Sequence, residues 1–84
     1  MYTVIWQTVA ENELAELWLA ASDRRAITLA ASTLDAALSV RPLRLGESRA
    51  SSVQRIVYQA PLGIEFEVVE DDKRVIVQGV FSIG

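Results

Sequence analysis

The sequence predicts an α+β fold in which a hairpin of two helices packs on one face of a mainly antiparallel, four-stranded sheet. After a short alternating segment, two stretches in the first half of the chain repeat apolar residues at helical spacing. Three short runs of alternating or β-branched residues follow in the second half. The resulting order, β-α-α-β-β-β, suits a fold with both helices on one side of the sheet. With 84 residues in all, we expect residues 1–84 to form a single domain.

The first strand is predicted over residues 2–7. Tyr2, Val4 and Trp6 alternate with the side chains between them, so they share one face of the strand. This pattern indicates a short strand that buries these three side chains.

The first helix is predicted to open at Thr8, with Glu11 three residues later as its partner in a capping box. Its apolar stripe, at positions i, i+3, i+4 and i+7, consists of Leu14, Leu17, Trp18 and Ala21. A stripe of this width exceeds what a thin domain covers. We therefore expect Leu14, Leu17 and Trp18 to form a partner-binding surface.

The second helix is predicted to begin after Ser22 and Asp23, residues that break the first helix and cap the next one. Its apolar face consists of Ile27, Ala30, Ala31, Leu34 and Leu38. Pro42 sets its end, because the residue before a proline is driven out of helical geometry. The short connection between two amphipathic helices predicts an antiparallel αα-hairpin.

The second half of the chain begins with an irregular, serine-rich stretch at residues 43–53. Strands are then predicted at residues 55–59, 64–68 and 75–81, with a turn at 70–73. Apolar residues alternate with glutamates in the middle strand. This strand is therefore expected to have one solvated face.

The register of the first hairpin has two alternatives. A turn centred on residues 61–62 would place Arg55 on the same side as Phe66. A shift of one residue would place Arg55 opposite Glu67 instead. Because a one-residue slip exchanges the two faces of a strand, the sequence leaves both registers open.

The composition excludes several classes of site. The sequence contains no cysteine and no histidine, so it has no disulfide, no thiolate zinc site and no histidine-based catalytic triad. We expect neither a metal nor a cofactor. The N-terminus lacks the features of a signal peptide, and no apolar run approaches the roughly 18 residues that a membrane span requires. We therefore expect a cytoplasmic protein without a membrane partner.

The charge of the chain is unevenly distributed. The formal net charge is −3, which opposes strong nonspecific binding to nucleic acid. Residues 41–58 differ from the rest, with four arginines against one acid and a local charge of +3. The four arginines are Arg41, Arg44, Arg49 and Arg55. This segment is the candidate for contact with an anionic ligand.

The pattern of elements over residues 2–81 resembles the RelE/ParE family of bacterial type II toxins. The resemblance is carried by the opening strand, the helical hairpin with Leu14, Leu17 and Trp18, the arginine-bearing loop, and residues 55–58, 63–68 and 74–77. It implies a toxin of a toxin–antitoxin system, of the kind that stabilises plasmids, with an antitoxin protein as its partner. RelE-like members cut messenger RNA on the ribosome, and ParE-like members poison DNA gyrase.

The resemblance also implies which residues would act in a ribonuclease. Arg49 and Arg55 match the loop and second-strand arginines and are the candidate catalytic residues. Arg44 and Tyr58 are the candidate substrate-binding residues. Attack of a 2′-hydroxyl on phosphate requires fixed cations for the charge that develops on oxygen, and arginine binds phosphate with two parallel hydrogen bonds. In the structural alternative, Arg55 pairs with Glu67 and Tyr58 packs on the sheet.

The sequence departs from the ribonuclease pattern near the end of the last strand. Basic residues are expected there, and this chain has Gln78, Gly79, Phe81 and Ser82. We also expect no basic tail. Three functions stay open. The first is a toxin-like protein that acts through macromolecular binding and is neutralised by an antitoxin; the others are a RelE-like ribosome-dependent endoribonuclease and an inert homodimeric module that retains only the fold.

Overall fold

The computed structural model describes residues 1–45, the main chain of residues 47–48, and residues 54–83. The elements in chain order are β1 (Thr3–Trp6), α1 (Thr8–Ala20), α2 (Arg24–Val40), a 3-10 turn (Pro42–Arg44), β2 (Glu47–Ser48), β3 (Gln54–Gln59), β4 (Leu62–Val69) and β5 (Arg74–Ser82). The predicted order of strands and helices is confirmed. β2 was not predicted, because two residues carry no alternation that a sequence pattern could detect.

Within the described residues, the strands form one mixed sheet in the order β1-β5-β4-β3-β2. β1 lies parallel to β5, and the other neighbouring strands are antiparallel. A parallel pair requires a long crossover connection, and α1 and α2 are part of it. The predicted α+β class is confirmed, with β2 extending the edge of the sheet beside β3.

The main core lies between the helices and one face of the sheet. α2 buries its predicted apolar face through Ile27, Ala30, Leu34 and Leu38. The central strands contribute Leu62, Ile64, Phe66, Val68, Val75, Val77 and Val80. Val4 and Trp6 pack against the same cluster, as the alternation in β1 predicted. We call this side of the sheet the helix face and the other side, which carries Tyr58 and Glu65, the outer face.

The N-terminal caps of the helices differ in how well the sequence predicted them. The Asp23 side chain accepts a hydrogen bond from the Ala26 N–H at 3.1 Å, which confirms the predicted cap of α2. The predicted capping box at Thr8 is wrong. Gln7 is the N-cap residue of α1, and within the described part of the chain its side chain makes no capping hydrogen bond. The reason is that the Gln7 N–H still donates to the Val77 carbonyl at 3.0 Å, so the helix starts directly where the strand pairing ends.

The β3–β4 hairpin places Arg55 on the face that the first of the two alternatives gave it, although the position of its turn differs. Arg55 stands opposite Phe66, and Gln54 is the cross-strand neighbour of Glu67. The connection consists of Ala60 and Pro61, one residue earlier than the turn considered from the sequence. Because directly opposed residues share a face, Arg55 lies on the helix face with Phe66.

Among the described residues, no helix is both long enough and apolar enough to span a lipid bilayer.

Candidate functional site

The candidate arginines lie around the end of α2 and the adjoining strand. Arg44 lies in the 3-10 turn and Arg41 directly precedes it, and both side chains are exposed. Arg55 is partly buried in β3, and its Nε donates a 2.7 Å hydrogen bond to the Leu45 carbonyl. The Arg55 side chain is therefore held against the main chain next to Arg44. Arg49, the other candidate catalytic residue, lies outside the described residues.

Tyr58 lies on the outer face of the sheet, whereas Arg55 lies on the helix face of the same strand. The Tyr58 side chain is 55% exposed. The Tyr58 ring meets the Phe81 ring edge-on, with 6.1 Å between the centroids and 79° between the planes. Both rings lie over Gly63, where a Cβ atom would stand 2.5 Å from the Phe81 ring. The strand geometry thus separates the candidate substrate-binding tyrosine from the candidate catalytic arginine.

Carboxylates and amides lie at the centre of the outer face, around Glu65 and Glu67. A small cavity of about 160 Å³ is lined by Gln54, Arg55, Glu65, Phe66 and Gln78. Gln78 is the extra residue of a bulge in β5, and its amide donates to the Glu67 carboxylate at 3.4 Å. Carboxylates at this position repel phosphate groups. Among the described residues, no cluster of acidic side chains is arranged to hold a metal ion.

A glutamate of α1 completes the hydrogen bonding of β5 beyond the end of β1. The Val80 N–H donates to the Glu13 carboxylate at 3.0 Å. β1 pairs with β5 only as far as Val77, so beyond that point a side chain of α1 accepts the hydrogen bond from β5. Glu13 thereby fixes the position of α1 on the sheet.

A larger apolar groove runs between α1 and α2. Its volume is about 620 Å³, and its walls include Leu14, Ala15, Trp18 and Leu19 from α1, Ile27 and Ala31 from α2, and Trp6 from β1. Two of the candidate partner-binding residues, Leu14 and Trp18, therefore line one surface. Leu17 lies elsewhere on α1, beside a second groove that reaches the β3–β4 turn.

The exposure of α1 was only partly predicted from its apolar stripe. Trp18 is 39% exposed and Leu19, which the stripe omitted, is 64% exposed. Of the described residues of α1, Ala10 alone is buried. The missed signal is that apolar residues such as Val9 and Leu19 also lie outside the stripe, so the apolar residues of this helix are not confined to one face.

The two ends of the groove carry opposite charges. At the hairpin turn, the Arg24 guanidinium lies 4.6 Å from the centroid of the Trp18 ring and donates to the carbonyls of Trp18 and Leu19 at 3.1 and 3.2 Å. At the other end, the Trp6 indole donates to the Asp35 carboxylate at 2.9 Å, and Glu11 lines the wall. The groove therefore runs from a cationic end to an anionic end.

Among the described residues, the titratable groups whose pKa values are shifted lie together around the β4–β5 turn. The Tyr2 hydroxyl donates to Glu70, and this hydrogen bond raises the pKa of Tyr2 and lowers the pKa of Glu70. Lys73 pairs with Glu70 at 3.4 Å, which raises the pKa of Lys73. Glu70 and Lys73 are exposed, and Tyr2 is half-buried. We infer that these contacts attach the start of β1 to the β4–β5 turn.

Comparison with known proteins gives a likeness of structure. No protein-family model and no curated protein matches the sequence. A chain of the RelBE2 toxin–antitoxin complex from Mycobacterium tuberculosis matches with a TM-score of 0.78 and 20% identity, covering 96% of each chain. A chain of the chromosomal ParDE system from P. aeruginosa matches with a TM-score of 0.73 and 13% identity, covering 100% of this chain and 98% of that one. The isolated E. coli RelE toxin matches with a TM-score of 0.68 and 14% identity, covering 100% of this chain and 86% of that one.

Proposed function

We propose that this chain, which has the fold of the RelE and ParE toxins, is a toxin-like component of a type II toxin–antitoxin system. It acts through macromolecular binding and is neutralised by an antitoxin protein. The observation that carries the proposal is the match, over nearly the whole chain, to chains of two toxin–antitoxin assemblies. Its bacterial target is a macromolecule of the cytoplasm, either the translating ribosome or DNA gyrase.

Binding is favoured over catalysis by the distribution of charge. Cleavage of RNA requires fixed cations around a phosphate. The centre of the outer face carries Glu65 and Glu67, and the Arg55 Nε is engaged with a main-chain carbonyl. Arg55 and Tyr58 lie on opposite faces of β3, so they do not converge on one phosphate. If the protein does cleave RNA, we propose that Arg49 and Arg55 carry the reaction and that Arg44 contacts the substrate.

The helical hairpin supports the antitoxin as the partner. Leu14, Leu17 and Trp18 each retain exposed apolar surface on α1. A partner that covered this surface would gain about 25 cal/mol for each Å² of apolar area removed from water. We propose that the antitoxin covers this side of α1. Pairing with a second copy of the chain is the competing use of the same surface.

The proposal is tested by inducing the chain alone in a bacterium and following growth. We expect arrest, and we expect the product of the neighbouring reading frame to restore growth when both are made together. Normal growth with the protein present in the soluble fraction would refute the toxin assignment. Arg25→Ala is a suitable control, because it removes an exposed arginine that lies outside the arginine-bearing segment.

The mode of action is separated by a second measurement. In a translation extract that contains the purified chain, we expect messenger RNA to stay intact. Cleaved message that is protected by Arg55→Ala, and still cleaved by the Arg25→Ala control, would favour the endoribonuclease. An effect on gyrase supercoiling with intact message would instead identify DNA gyrase as the target.

A further inference from the structure

We infer that the open edge of β1 pairs antiparallel with the same edge of a second copy of this chain. The two sheets then join into one continuous sheet, and a two-fold axis passes between the two copies of Ile5. This contact uses the main chain of β1 and not the groove between the helices. It goes beyond the proposed function and does not depend on it.

The main chain of β1 has one paired edge and one open edge. In a parallel pair, alternate residues direct both of their main-chain groups to the neighbouring strand. The Thr3 N–H donates to the Lys73 carbonyl at 2.9 Å, so Thr3 and every second residue after it face β5. Val4 and Trp6 therefore direct their N–H and C=O groups away from β5. Among the described residues, neither of these two N–H groups donates to another main-chain carbonyl.

The limits of the open edge select the register of the pairing. The Tyr2 N–H donates to the Ser39 carbonyl at 2.7 Å, so the open stretch runs from Val4 to Trp6. A two-fold axis at Ile5 places Val4 of each copy opposite Trp6 of the other, and each opposed pair exchanges both of its hydrogen bonds. An axis at Val4 would instead require the Tyr2 N–H, which is already engaged, and would leave the Trp6 carbonyl unpaired.

The side chains of β1 suit the pairing of identical strands. Residues 2–7 include no charged residue, proline or glycine, whereas natural edge strands are commonly protected from pairing by charges, prolines or bulges. Ile5 is 38% exposed on the outer face, and the axis brings the Cα atoms of its two copies to about 4.5 Å. The two isoleucines then cover each other, and Val4 beside Trp6 forms a favourable cross-strand pair. Open groups that are symmetric about an exposed apolar residue provide the self-complementary surface that a two-fold interface requires.

A disulfide test measures the register directly. The chain has no cysteine, so Ile5→Cys supplies a single thiol at the axis, within the roughly 7 Å between Cα atoms that a disulfide can span. Thr3→Cys is the matched control, because Thr3 is exposed on the same face and its two copies would lie about 13 Å apart along the strands. Under mild oxidation, we expect Ile5→Cys to form a covalent dimer at least about tenfold faster than Thr3→Cys. Equal rates, in variants that keep the circular dichroism spectrum of the parent, would overturn the inference.

Sedimentation measures the dimer without a covalent bond. We expect the parent to change from monomer to dimer as its concentration rises from about 1 μM to about 1 mM, a range suited to a small interface. Ile5→Lys places two like charges at the axis, so we expect it to stay monomeric. Leu29→Lys makes the same kind of change at a position of α2 that is 56% exposed, and it should dimerise like the parent. A parent that stays monomeric, or a dimer that Ile5→Lys leaves intact, would overturn the inference.

Amide hydrogen exchange identifies the main-chain groups that pair. At a concentration at which the dimer forms, we expect exchange at Val4 and Trp6 to be at least about tenfold slower than in dilute solution. The Thr3 N–H already donates to β5 in the monomer, so its exchange should change less. A dimer that leaves exchange at Val4 and Trp6 unchanged would place the contact elsewhere and overturn the inference.

Discussion

Gly63 provides a sharp test of the packing on the outer face. A Cβ atom at this position would lie 2.5 Å from two ring atoms of Phe81 and 3.1 Å from the Tyr58 ring. Real Cβ contacts essentially never occur at the shorter distance, so Gly63→Ala must displace the Phe81 ring. The displaced ring then loses its edge-on contact with Tyr58.

The expected cost follows from the opposing contributions. Forcing a side chain out of a packed position costs about 1–3 kcal/mol, and the lost aromatic contact accounts for about 0.5–1.5 kcal/mol of that. Replacing glycine by alanine restricts the unfolded chain and returns about 0.4–1 kcal/mol. We expect a net loss of about 1 kcal/mol, which lowers the melting temperature of a domain of this size by about 4–8 °C.

Urea denaturation of a double-mutant cycle measures this effect. Phe81→Ala should remove most of the penalty of Gly63→Ala, because the added methyl group then fills the space that the ring occupied. Gly79→Ala is the matched control, since its Cβ atom would lie 3.7 Å and 3.8 Å from its nearest neighbours, both ordinary contact distances. The packing argument is wrong if Gly63→Ala is as stable as the parent. It is also wrong if Gly63→Ala lowers stability as much in the Phe81→Ala background as in the parent.

Three further predictions concern the hydrogen bonds around the sheet and the helical hairpin. Glu13→Ala leaves the Val80 N–H without its acceptor, so it should lower the free energy of unfolding in urea by about 1–2 kcal/mol and speed amide exchange at Val80. Glu13→Gln keeps an acceptor oxygen, so it should lower the free energy of unfolding by less. Glu70→Gln should let the pKa of Tyr2 fall back towards 10.0 in a spectrophotometric titration. Folding lowers the pKa of Glu70, so the contribution of Glu70 to stability is present above its ordinary pKa of 4.5 and is lost as the pH falls through the lower folded value. The melting temperature of the parent should therefore fall more steeply on acidification than that of Glu70→Gln. Equal slopes would contradict this prediction. Arg24→Met removes a donor to the last carbonyls of α1 and should lower the melting temperature more than Arg24→Lys, which keeps the charge.

The candidate site was less predictable than the fold. The stripe on α1 selected Leu14, Leu17 and Trp18 as the candidate partner surface, and two of them, Leu14 and Trp18, line the main groove. Leu19 was missed, because a stripe at fixed spacing selects one face of the helix and Leu19 lies outside that face. The opposite wall of the groove is supplied by α2, and no pattern within one helix indicates which residues of another will face it.

The arginine-bearing segment shows a different limit. The sequence placed Arg55 and Tyr58 three residues apart and correctly indicated a strand there. Alternation on a strand puts residues three apart on opposite faces, so their separation followed once the strand was accepted. The register decided the rest, because it placed Arg55 opposite Phe66 on the helix face and left Glu67 opposite Gln54.

The sequence by itself determined the element order, the apolar face of α2, the cap at Asp23 and the alternation in β4. These features depend on local spacing and on the chemistry of neighbouring residues, which a linear pattern records. Only the tertiary structure decided the parallel pairing of β1 with β5, the capture of the Val80 N–H by Glu13, and the charged groove between α1 and α2. Each of these joins residues that are distant along the chain, and the free energy of such contacts depends on how whole elements pack against one another.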